Sequence, residues 1–112
     1  MERGRSLTTY KEIKREEDRL TLNRYDKEGY IVIPPKFRCK FGRNVRILFD
    51  KERNLLALQP SDNEEDYHTT RWRVWCSNLF QEYNLQSQKV RACWQEKEKY
   101  LVGKVVREDG RS

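Results

Sequence analysis

Apolar side chains take alternate positions in Leu20-Thr21-Leu22-Asn23-Arg24-Tyr25, the period-two pattern of a strand with one buried face. Residues 26–29 then read as a turn. Tyr30-Ile31-Val32-Ile33 reads as a second strand, stopped by Pro34 and Pro35, which cannot continue a ladder of hydrogen bonds. Proline is welcome in the first turn of a helix, so a turn or two of helix is expected next. In it Phe37 and Phe41, four apart, share one face, while Lys36, Arg38 and Lys40 point elsewhere and Gly42 reads as a C-cap. Residues 45–49 and 55–59, with a charged turn between them, predict a hairpin.

Pro60-Ser61-Asp62-Asn63-Glu64-Glu65-Asp66 opens a connector, taken as 61–70. Its acidity has two readings, ordinary solvation or a flap that covers a basic surface and competes with nucleic acid. Beyond it the pattern repeats. Trp72, Val74 and Cys76 alternate as a strand, and Ser77 is placed to N-cap a helix whose Leu79, Phe80 and Tyr83 share a face. The segment 90–103 can be laid without gaps on 45–58, strand, charged turn and strand in both. One such unit buries too little to stand alone, so two units sharing one core, as a pseudo-dimer, are expected. Ahead of both, Thr9 and Glu12 have capping-box spacing, with Tyr10 and Ile13 on one stripe of a possible short helix.

Residues 19–60 resemble the AbrB/MazE/MraZ-like superfamily of DNA-binding swapped-hairpin proteins. The resemblance is carried by the turn Asp26-Lys27-Glu28-Gly29, the strand end Ile31-Val32-Ile33-Pro34, the helix Phe37-Arg38-Cys39-Lys40-Phe41-Gly42 and the hairpin that follows. It implies a mainly β fold with short helices, a ββαββ barrel-like unit whose hairpins interleave, and contact with double-stranded DNA. It puts Arg38 at the family's helix arginine. The family's Gly-Arg pair is Gly29-Tyr30 here, and only Arg43-Asn44 stands between helix and third strand. A tyrosine at position 30 can touch a phosphate through its hydroxyl or pack across a strand. The organisation expected is an arm at 1–18, a module at 19–60, the connector, a diverged module at 71–106 and a tail at 107–112.

Composition adds the partner. The 112 residues are 36% hydrophobic and 38% charged, which means a thin core under a charged surface. The net charge of +6 is uneven: residues 19–60 carry ten cations and four anions, whereas residues 61–70 carry four anions and no cation. A basic module suggests nucleic acid or another polyanion. The three cysteines form no CxxC pair, and with His68 alone to help they draw no zinc site, so neither metal nor cofactor is expected. No signal peptide or apolar span is present, which reads as a cytoplasmic, nucleoid-associated protein with reduced thiols and Cys93 buried among strand residues.

The candidate DNA contacts are Arg24, Lys27, Lys36, Arg38, Lys40, Arg43 and Arg46, whose charges would neutralise phosphates, with Arg38 able to read a guanine edge. A second set, Trp72, Trp75 and Trp94 with Tyr67 and Tyr100, interleaved with Arg71, Arg73 and Arg91, either forms a stacking platform for single-stranded bases or fills a small core. Trp75 is set apart because it shares its face with two arginines. Alternation puts Arg71, Arg73 and Trp75 on one strand face and Trp72 and Val74 on the other. Catalysis is not expected: His68 lies in an acidic loop without a nucleophile at recognised spacing, and no glycine-rich phosphate loop exists. The leading expectation is a small transcriptional regulator or antitoxin-like factor, pseudo-dimeric or homodimeric. The alternatives are a phage or mobile-element type module docking on a host protein, with the N-terminal arm as a route to a protein partner, and a single-stranded nucleic-acid binder.

Overall fold

A computed structural model of the chain describes residues 18–107. The elements are β1 (Arg19–Tyr25), β2 (Glu28–Val32), a 310 helix (Pro35–Lys40), β3 (Asn44–Asp50), β4 (Leu55–Ser61), β5 (Tyr67–Thr70), β6 (Arg73–Trp75), α1 (Ser77–Tyr83), β7 (Gln88–Gln95) and β8 (Tyr100–Lys104). The fold is mainly β. Its eight strands close into one barrel in the order β1-β2-β6-β5-β3-β4-β8-β7, every neighbouring pair antiparallel. Inside lie Leu20, Leu22, Ile31, Ile33, Val45, Leu56, Leu58, Val74 and Leu101, none of them exposed, with Phe37, Phe41, Leu79 and Phe80 added from the helical segments. Closure leaves no free sheet edge among the described residues.

The hairpins of the two halves alternate around the barrel, β1β2, β6β5, β3β4, β8β7. Exchanging β1–β4 for β5–β8 returns the same ring, and the registers obey the same exchange. Leu20 stands opposite Val90 as Tyr67 stands opposite Val45, and Asn23 faces Tyr30 as Thr70 faces Arg73. The pseudo-twofold axis passes between Ile31 and Val74 at one side and between Ala57 and Val102 at the other. The 310 helix and α1 are counterparts. This is the single-chain pairing of two ββαββ units.

Several local readings change. The helix after Pro34 is 310 and not α, since Pro34 O accepts from Phe37 N and Arg38 O from Phe41 N. Phe41 is the cap in an extended conformation, so Gly42 has no left-handed role. The connector is only partly irregular: β4 runs through Ser61, and Tyr67–Thr70 form β5. Backbone pairing with Asn44 and Val45 builds that strand, helped by Thr69 N and Oγ1 donating to Arg43 O. Arg71 and Trp72 form the β5–β6 turn with φ of 53° and 64°, so Arg71 does not share a strand face with Arg73 and Trp75. Ser77 does not cap α1 by its side chain; its Oγ accepts from Gly29 N at 3.0 Å. Cys93 is exposed, because Trp94 takes the inward position on β7, and Cys76 is the buried thiol. The expected arm lies outside the described residues apart from Asp18, as does the tail beyond Arg107. No helix of the described residues is long and apolar enough to cross a membrane.

Candidate nucleic-acid interface

Strand alternation that sends Ile31 and Val74 inward turns Tyr30 and Trp75 outward, directly opposite each other on β2 and β6. Their ring centroids are 4.7 Å apart at 50°. Tyr25, at the end of β1, extends the row. Its ring lies 6.0 Å from that of Tyr30, and the two hydroxyls are 3.2 Å apart. That hydrogen bond, ahead of the other influences, raises the Tyr25 phenol above its ordinary pKa. Arg73, the next outward residue on β6, holds its guanidinium 4.9 Å from the Tyr30 centroid. Tyr30 is thereby covered, 6% exposed, while Tyr25 and Trp75 stay open at 57% and 44%. Two open rings, Tyr25 and Trp75, flanking a covered Tyr30 with Arg73 laid on it, can stack planar π systems and neutralise a neighbouring phosphate.

Beyond Trp75 the surface falls into an open cleft of about 570 Å³ lined by Glu65, Asp66, Tyr67, His68, Thr70 and Trp75. Tyr67 is fixed by its hydroxyl on Asn78 Oδ1, and Asp66 accepts from Ser61 Oγ. His68 Nδ1 lies 2.7 Å from Oδ1 of the buried Asn44. Next to this cleft Asp62 and Glu64 line a second hollow with Arg43.

The seven candidate DNA contacts are dispersed. Arg24 lies over the C-terminus of α1, donating to Leu85 O at 3.0 Å, to Asn84 Oδ1 and to Phe80 O. Arg38 donates to Ile33 O at 2.8 Å and packs 5.6 Å from the Trp72 ring. Lys40 is held between the Trp94 ring, at 5.2 Å, and Glu96. Glu96 itself is lowered below the usual carboxylate range, first by its hydrogen bond from Lys99 and next by that from Trp94 Nε1. Lys27, Lys36, Arg43 and Arg46 are exposed. Of the second set, Arg73 and Trp75 meet at the ring row, Arg71 is in the turn beside it, and Arg91 pairs with Asp18 on the outer face of β7.

Sequence reasoning picked Trp75 and Arg73 but passed over Tyr25. The signal was the parity of β1: Tyr25, Asn23 and Thr21 alternate with the buried Leu22 and Leu20, so Tyr25 faces out. Compared with protein-family models, curated proteins and solved structures, the chain matches none.

Proposed function

We propose that this protein binds nucleic acid by taking unpaired bases onto the open rings of Tyr25 and Trp75, which flank the covered Tyr30, with Arg73 and the neighbouring Arg71 serving the phosphates. The observation that carries the reading is the open Trp75 indole, seated on Tyr30 next to Arg73 in a chain of net charge +6. A core residue would not be left 44% exposed beside a cation. Arg38, the arginine singled out by the superfamily resemblance, already gives its Nε–H to Ile33 O and lies over Trp72, so only its terminal N–H groups are left for a duplex edge. A second reading has its own support. The alternating hairpins are what the swapped-hairpin resemblance implies, and Lys27, Lys36, Arg43 and Arg46 of the first half are open to a duplex backbone.

Fluorescence anisotropy of labelled single-stranded and duplex oligonucleotides across a salt series tests this. The expected result is tighter single-strand binding, with log affinity falling by about 0.7 per phosphate contact as log salt rises. Trp75→Ala is expected to weaken it by about 1–3 kcal/mol. Duplex binding that survives Trp75→Ala would shift the conclusion to the exposed cations. No salt-dependent binding of either form would remove both readings.

A further inference from the structure

We infer that the cleft beside Trp75 reads the edge of the stacked base and favours one with an exocyclic amine, cytosine over thymine or uracil. This rests on the single-strand reading of the ring row and adds a specificity to it. The cleft begins where the row ends: Trp75 has Tyr30 on one side and the hollow of about 570 Å³ on the other. A base laid on Trp75 would turn its edge toward Glu65 and Asp66 from the loop and toward Thr70 and His68 from β5. Among the described residues Glu65 and Asp66 have no ion-pair partner, and the hydrogen bond received from Ser61 engages only Oδ2 of Asp66.

A carboxylate can only accept hydrogen bonds. The amine of cytosine, adenine or guanine donates to it, whereas thymine and uracil have no amine, set O4 lone pairs against the carboxylate and are left with N3–H as their one edge donor. Two carboxylates also lower the affinity for any phosphate chain, so their effect on selectivity is expected in the ratio between bases rather than in total affinity.

The barrel supplies an internal comparison. By the pseudo-twofold, Val32, Thr21 and Asn23 of the first half stand where Trp75, His68 and Thr70 stand in the second. The first half builds the same sheet there without the ring or the imidazole. Closing the barrel therefore does not require these side chains at that position.

The test compares ten-nucleotide oligo(dC) and oligo(dT), pyrimidines of equal size that differ at the edge, with the matching RNA pair showing which backbone carries the preference. Oligo(dC) is expected to bind about tenfold tighter than oligo(dT). The ratio should fall toward one in Glu65→Ala/Asp66→Asn, while Trp75→Ala weakens both. Glu65→Ala alone, at an exposed carboxylate, carries the test if the double variant does not fold. Equal affinities that still depend on Trp75, or a preference that survives loss of the carboxylates, would overturn the edge reading and leave the ring row standing. No binding of any oligomer would overturn both.

Discussion

Gly29 is a position where a hydrogen in place of a side chain decides packing. A Cβ there would stand 2.5 Å from the ring of Phe80, which is itself completely buried. In the sequence the glycine reads as part of a turn. The turn is made instead by Asp26, with φ of 55°, and Gly29 lets α1 lie on β2. Gly29→Ala is expected to cost about 1–3 kcal/mol as Phe80 is forced from its site, measured by urea unfolding. Cys76 makes the opposite case, a reactive group silenced by its surroundings. Burial pushes its thiol from the ordinary 9.0 up to about 12. The folded state thus favours the protonated form, so this contribution to stability is whole below pH 9 and drains away as pH rises toward 12. In native protein a thiol reagent is expected to modify Cys39 and Cys93 quickly, and Cys76 only after denaturant is added.

At the scale of elements, α1 shows a helix that borrows what its own sequence lacks. It has no basic residue in its last turn, and Asn84 ends it in the left-handed conformation. The cation comes from β1, where Arg24 reaches Leu85 O and Phe80 O. Arg24→Met is expected to lower stability by about 1–2 kcal/mol, seen as a drop in thermal midpoint, even though the residue reads in the sequence as a DNA contact. The strands were legible wherever one face is buried, as in the alternation of Leu20 and Leu22 or of Ile31 and Ile33. β5 was not, because Tyr67-His68-Thr69-Thr70 has no apolar alternation and is held by backbone bonds to a strand distant in sequence. The site was half legible for the same reason. Trp75 and Arg73 stand out within one strand, but the row exists only because β1, β2 and β6 are neighbours, and β6 lies far along the chain.

For the whole molecule, the interleaving of halves matters more than either half. Four of the eight ladders, β1·β7, β2·β6, β3·β5 and β4·β8, join the first half to the second. The repeat could be seen in advance by laying 45–58 on 90–103, because equal hairpins bury equal faces. The two-sided sharing of one core could be argued only from the smallness of each unit. A fragment ending at residue 61 is expected to be unfolded or to pair with a second copy of itself. Size-exclusion chromatography with circular dichroism checks this, and co-expression with residues 62–112 should restore the monomeric barrel. A well-folded monomer from the first fragment would contradict the shared core.

The ring closes on β7, a strand translated long after the one it meets. β1 ends at Tyr25 and its second neighbour at Gln95, so at about 5–20 residues per second the ribosome takes roughly 4–14 s to supply that partner. Until β5 and β6 are made the outer edges of both first-half hairpins have no native neighbour, and until β7 follows the β1 edge stays open, so Leu20, Leu22, Ile31 and Ile33 have no enclosed interior to enter. The nascent chain must stay dispersed by its charges, ten of them cations between residues 19 and 60. Before any ligand is present, like-charge repulsion between basic first halves therefore opposes the joining of one unfinished sheet to another.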